Sequence, residues 1–231
     1  MKLPPAARMA WRQHYRLIPS RHPYIDVFDS FGLTDDEKAA IWELQARTHK
    51  RHGGAGLARI RPCDIAAGPG AYYLNGPFIH AGRPSRFTDG SYGVYYAAHA
   101  LNTAIIETKY GYERIWRSSN LIPESFTFRA LKGNTVHEEL YDIRNSTYYK
   151  RYLNPDIGTY PRSQVFANEL RMADPDAYGI VYPSVRDADG ECIAVFRGSA
   201  IPIPVQANLL SFKWNGNEVT TVSESTTVME F

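Results

Sequence analysis

Between Tyr92 and Ala98 the chain places apolar and aromatic side chains at consecutive positions, Val94-Tyr95-Tyr96-Ala97, rather than at every second one. Successive side chains of a strand point to opposite faces, so this run predicts a strand covered on both sides. Such a strand needs layers above and below it, which excludes a lone hairpin or an open, single-faced sheet. A helix is expected directly afterwards, from about His99 to Arg114, with Leu101, Ala104, Ile105, Thr108 and Tyr112 on one face.

Around this unit the pattern is mixed. Tyr15-Arg16-Leu17-Ile18 reads as a short strand stopped by Pro19-Ser20. Thr34-Asp35-Asp36-Glu37 is a capping box that opens a helix with Ala40, Ile41 and Leu44 inward and basic residues near its C-terminal end, Arg47 to Arg51. From His52 to Pro84, glycine and proline punctuate the text, which predicts a long irregular insertion. Further strands are expected at Phe126 to Leu131 and Val136 to Asp142, and a helix at about Ser163 to Ala173 carrying Phe166, Leu170 and Ala173. Gly179 to Pro183 and Glu191 to Arg197 read as a strand pair around Asp187-Ala188-Asp189-Gly190. Leu209 to Trp214 and Glu218 to Val222 read as a terminal hairpin around Asn215-Gly216-Asn217. There is no internal repeat and no regular βαβ alternation, so the expected class is α+β in a single domain over residues 1–231. Residues 33–84 form its helix and irregular insertion, and 205–231 a hairpin extension.

With 231 residues the chain is long enough to bury a core without disulfide or metal staples, and its two cysteines, Cys63 and Cys192, form no framework or zinc spacing. None of the 7 histidines has ligand spacing, and no glycine-rich strand-to-helix turn marks a Rossmann site. A reducing compartment, no signal peptide and no membrane span are the expectations. The basic residues are divided unevenly, 19 Arg against 7 Lys, yet the net charge is only +2. A long nucleic-acid groove is therefore disfavoured, and the arginines must be used locally.

Four places carry possible chemistry. Arg86 follows the turn at Arg83-Pro84-Ser85, where a fixed guanidinium can present its planar fork to a phosphate or carboxylate. Glu107 lies mid-helix, roughly 120° from the centre of the packed face, a flank position that holds a carboxylate rigidly at the domain surface. Ser184, in Tyr182-Pro183-Ser184-Val185-Arg186, stands just beyond a strand end without the Gly-x-Ser-x-Gly of a hydrolase elbow. The pairs Tyr72-Tyr73, Tyr95-Tyr96 and Tyr148-Tyr149 offer flat rings for stacking. Taken singly, each reads more readily as ordinary: a solvated turn arginine, a solvated helix acid, a turn serine and core tyrosines.

Taken together they do not. Arg16 in Tyr15-Arg16-Leu17-Ile18, the segment Arg86-Phe87-Thr88-Asp89-Gly90-Ser91-Tyr92-Gly93-Val94-Tyr95-Tyr96-Ala97-Ala98 followed by Thr103-Ala104-Ile105-Ile106-Glu107, and Gly179-Ile180-Val181-Tyr182-Pro183-Ser184-Val185-Arg186 resemble the RES domain family, in order and rough spacing. The resemblance implies the toxin of a bacterial type II toxin-antitoxin pair, with a fold similar to ADP-ribosyltransferases and NAD+ as substrate without a metal. It implies cleavage of the nicotinamide-ribose bond, by hydrolysis or phosphorolysis, with transfer of ADP-ribose to a specific protein as the alternative. Carried over by position, Glu107, Arg16 and Ser184 are the expected catalytic set, and Arg16, Arg86, Tyr95 or Tyr96, and Ser184 the expected NAD+-binding set. The implied partner is a cognate antitoxin with a helix-turn-helix domain, the implied compartment the cytoplasm, with no direct contact to nucleic acid or membrane. A reading from another class is a catalytically silent module that binds a nucleotide or peptide in the same cleft. The chain departs from shorter members in having Arg86-Phe87-Thr88-Asp89-Gly90 where they have Arg-aromatic-Asn followed by Pro-Gly, and in carrying most of Leu33 to Arg83.

Overall fold

The computed structural model describes residues 3–20, 34, 60–134, 136 and 138–225. The helix expected after the capping box lies, Thr34 apart, outside them. Among the described residues nine strands form one mixed sheet: β1 (Ala6–Arg8), β2 (Gln13–Pro19), β3 (Tyr95–Ala98), β4 (Glu124–Asn134), β5 (Glu139–Asp142), β6 (Gly179–Pro183), β7 (Glu191–Val195), β8 (Val205–Trp214) and β9 (Val219–Ser225). Their order across the sheet is β1-β5-β6-β7-β3-β2-β4-β8-β9, antiparallel throughout except for β5 beside β6. Among the described residues three α-helices accompany it: α1 (Ala71–Ile79), α2 (Leu101–Ser118) and α3 (Tyr160–Ala173). This is the expected α+β class, with both strand pairs of the C-terminal half where the turn signals put them.

The sheet is not continuous in strength. Strand β2 pairs with β4 from Gln13 to Pro19, but with β3 only through Tyr15 and Ala98. Beyond that bridge β2 and β3 diverge, so the sheet consists of two halves joined at one point. The divergence leaves backbone groups of β3 without a strand partner, and they must be satisfied by something else.

Strand β3 is covered on both faces, as its composition requires. Tyr95 and Ala97 face the cluster that contains Leu74, Phe78, Ile193 and Val195, whereas Ala98 faces the larger cluster with Phe87, Tyr182, Cys192 and Ala194. Part of the first cover comes from α1, which lies inside the stretch read as irregular. That reading is corrected for residues 71–79. Gly76-Pro77 looked like a breaker, yet the proline sits in the last turn of a short helix entered through Gly70 in the left-handed conformation (φ 76°).

Helix α2 starts at Leu101 and runs four residues past the expected end, because Trp116 stacks on Phe126 (ring centroids 4.1 Å) and edges onto Trp214 (5.4 Å). The strand expected at 126–131 is longer, Glu124–Asn134, and that expected from Val136 is confined to Glu139–Asp142. In α3, Phe166 and Leu170 are buried as expected, but Ala173 is exposed and Ser163 and Ala167 complete the inner face.

One consequence for stability arises at β2. His14 is fully buried, its ring against Gly133 of β4, where an added Cβ would lie 2.2 Å from the imidazole. Its Nδ1 donates to the Asn134 carbonyl (2.9 Å), so the neutral ring offers Nε2 as acceptor to the Tyr95 hydroxyl (3.3 Å). Burial lowers its pKa from 6.5 to about 4. The unfolded chain therefore binds a proton that the folded one refuses between those values, and stability falls as pH drops through the window. We expect the unfolding free energy from urea titrations to decline from pH 6.5 toward 4 by up to about 1.4 kcal/mol per pH unit from this group, and His14→Gln to flatten that slope.

Candidate active site

The carboxylate of Glu107 projects from the flank of α2 toward the loop that follows β6. Ser184 donates to its Oε1 at 2.6 Å and Arg186 to its Oε2 at 3.1 Å. The serine hydroxyl has no freedom left: its oxygen accepts from the backbone N–H of Arg186 (3.2 Å) and of Asp187 (3.0 Å), so its proton points at Glu107. Thr103, in the first turn of α2, binds Asp187 at 2.6 Å and fastens the same loop to the helix. Serine and carboxylate are thus held by two contacts between one helix and one loop, 77 residues apart in sequence.

Arg186 extends the cluster. Its guanidinium lies 3.7 Å from the Tyr110 ring centre and reaches the Pro155 carbonyl (3.3 Å) and the Tyr160 hydroxyl (3.4 Å). Arg86 arrives at Tyr160 from the other side, its NH2 3.4 Å from the same hydroxyl, and binds the Asn154 carbonyl at 2.9 Å. Tyr160 therefore joins two arginines, and it can do so because the chain turns into α3 at Pro161, whose fixed φ suits a first helical turn. Arg86 is buried, and neither it nor Arg16 has a carboxylate partner among the described residues.

Arg16 occupies the split in the sheet. Its NH1 donates to the Tyr96 carbonyl (2.8 Å), one of the groups orphaned where β2 and β3 part, and its guanidinium sits 4.9 Å from the Tyr95 ring centre. Burial lowers its pKa, opposed by the hydroxyls of Tyr95, Tyr112 and Tyr96. The Nε–H groups of Arg16 and Arg186 are buried with no acceptor among the described residues.

The two candidate tyrosines separate. Tyr96 shares the sheet face of Cys192 and Tyr182, both of which feel the Glu107 charge, and its hydroxyl meets Ser85 Oγ (2.8 Å) and the Phe87 N–H (3.0 Å). Burial pushes its pKa up to about 12. Tyr95 points to the opposite face, fully buried, and serves as a platform for Arg16. Burial likewise drives the Cys192 thiol pKa well up, so that sulfur stays protonated. Sequence reasoning left Arg186 without a role and overlooked Tyr160. The signal for the first was present in Pro183-Ser184-Val185-Arg186, whereas nothing local marks Tyr160.

Glu107, Ser184, Arg186, Tyr160 and Arg86 thus form one chain of hydrogen bonds, with Tyr96 bound at Ser85 and Phe87 on either side of Arg86 and Arg16 behind it. The order of these residues along the chain matches a known arrangement. Residues 58–215 match the RES domain. This chain belongs to the RES domain family. Glu107, Ser184, Arg86 and both tyrosines fall within the matched stretch, and Arg16 lies before it. The RES chain is also similar to an uncharacterized protein, y4oC, of Sinorhizobium fredii (strain NBRC 101917 / NGR234), 24% identical over 208 residues that cover 90% of this chain and 85% of that protein. Among solved structures, the crystal structure of the M. tuberculosis MbcT-MbcA toxin-antitoxin complex aligns over 87% of each chain with 7% identity and a TM-score of 0.41. No helix among the described residues is long and apolar enough to cross a membrane.

Proposed function

We propose that this RES chain is the toxin of a toxin-antitoxin pair and that it acts by breaking the nicotinamide-ribose bond of NAD+. The observation that carries this reading is the charge balance of the cluster. Three guanidiniums, Arg16, Arg86 and Arg186, stand against two carboxylates, Glu107 and the Asp187 held by Thr103, and of the three only Arg186 contacts an acid among the described residues. The two arginines without an acidic partner suit a doubly charged pyrophosphate, while Glu107 suits the sugar next to it.

Departure of nicotinamide leaves an oxocarbenium-like ribose, and a fixed carboxylate stabilises that developing charge and orients the ribose hydroxyls. In this scheme Ser184, whose proton is already directed at Glu107, holds the acid in place or passes its hydrogen bond to the ribose. The Tyr96 ring offers a flat surface for the base. Water or phosphate then takes the ribose carbon from which nicotinamide left. The proposed partner is an antitoxin with a helix-turn-helix domain.

The test is to incubate the full chain with NAD+ and follow nicotinamide, with and without phosphate. Release, with free ADP-ribose or its phosphate ester as co-product, is the expected result. Labelling of a protein band without bulk loss of NAD+ shifts the reading to ADP-ribose transfer, and saturable binding without any release overturns it in favour of a silent module. Ser184→Ala is expected to lower release about tenfold, since the carboxylate loses one of its two donors.

A further inference from the structure

The opposite end of the same strands carries a second feature. Strands β6 and β7 run from the pair Pro183–Glu191, beside Ser184, to the pair Gly179–Val195. At roughly 3.3 Å per residue that end lies about 13 Å from the Glu107 cluster. There, between the residues just before β3 and the C-terminal end of α3, a cavity of about 360 Å³ opens, lined among others by Arg61, Arg171, Arg197, Phe78, Tyr92 and Phe196. Its size is within the range of small-molecule pockets.

Two of its three arginines are neutralised. Arg197 Nε binds both oxygens of buried Asp64 (3.1 and 3.0 Å), which also accepts from Ser199. Arg61 meets Asp176 at 2.5 Å, and Arg197 reaches the same carboxylate at 3.3 Å. Arg171 differs. Its guanidinium lies 3.7 Å from the centre of the Tyr92 ring, and it has no carboxylate partner among the described residues. Neighbouring Asp89 is occupied by Ser91 and Asn168. Tyr92 is itself held, donating to the Phe87 carbonyl at 2.5 Å and set edge-on to Phe196. A stacked guanidinium uses its face and keeps its in-plane N–H groups for an oxyanion. The cavity therefore combines one positioned cation, in contact with no carboxylate among the described residues, with an aromatic wall.

We infer that this cavity binds a small organic anion, with a carboxylate or phosphate group on Arg171 and a flat or apolar body toward Phe78 and Phe196. The inference is independent of the reading of the Glu107 cluster. Calorimetric titration of the full chain with phenyl phosphate, benzoate and inorganic phosphate tests it. Phenyl phosphate or benzoate is expected to bind with a Kd of about 1 mM or tighter, and inorganic phosphate about tenfold more weakly because it lacks the ring. The stronger of the two aromatic probes identifies the anionic group. Arg171→Met, which keeps an apolar stem over Tyr92 but no fork, should weaken binding at least about tenfold, and Glu107→Gln should leave it unchanged. If Arg171→Met melts below the assay temperature, Arg171→Lys takes its place, with weaker binding of the same probes expected because an ammonium has no fork. No heat from either aromatic probe, equal binding by the Arg171 variant, or a loss that follows Arg86→Met instead overturns the proposal.

Discussion

Glu107→Gln is expected to cut nicotinamide release from NAD+ by about 100-fold or more, the scale seen when a preorganised electrostatic partner of a developing charge is removed. The substitution is informative because it changes little else. A glutamine keeps one acceptor oxygen for Ser184 and puts its amide nitrogen where the second oxygen met Arg186, and with the Glu107 side chain 27% exposed the fold survives the loss of that one contact. What disappears is the negative charge opposite an oxocarbenium-like ribose. NAD+ binding, carried in this reading by Arg16, Arg86 and Tyr96, should change far less than turnover, and a growth defect caused by the wild type should vanish. Turnover within a few-fold of wild type would remove the carboxylate from the mechanism and leave the cluster as a structural ion pair.

The second large effect concerns folding. Gly93→Ala is expected to destabilise the protein by at least about 3 kcal/mol, because overpacking against backbone has no side chain to yield. A Cβ on Gly93 would lie 2.2 Å from the Pro77 carbonyl oxygen and 2.4 Å from the Phe78 Cα. The close passage of the segment entering β3 under α1 is thus a backbone-to-backbone contact. For a chain of this size the thermal midpoint should fall by about 6–12 °C. Gly111→Ala is the matched control: it sits in α2 with nothing within 4 Å of the added atom, and helix propensity predicts a gain of up to about 1 kcal/mol. Equal melting of Gly93→Ala and wild type would show that α1 does not pack there.

Much of the fold was legible because it is written in short periods. The alternation Leu210, Phe212, Trp214 specifies a strand with one buried face, and Asn215-Gly216 specifies its turn, where Asn215 accepts from two following backbone N–H groups and Gly216 has φ 97°. Helix α1 was not legible, since Gly76-Pro77 carries breaker residues and its mean face is set by what covers Tyr95. The end of α2 is hidden from local pattern for a related reason: Trp116 extends the helix through aromatic contacts with β4 and β8.

At the site the same division holds. The residue types and their order, Arg16, Arg86, Glu107 and Ser184, are properties of the one-dimensional chain, and they suffice to point to the family. Which tyrosine shares a face with Glu107 depends on strand register, because neighbours 95 and 96 necessarily point to opposite sides. That Tyr160 ties Arg86 to Arg186, and that Arg16 fills the gap where β2 leaves β3, depends on segments up to 80 residues apart meeting in space. Local pattern encodes what a few neighbouring residues prefer, so it settles elements and candidate chemistry. Contacts across the sheet arise only when buried surface and orphaned backbone groups from distant segments are satisfied together, and that is where the arginines acquired their partners.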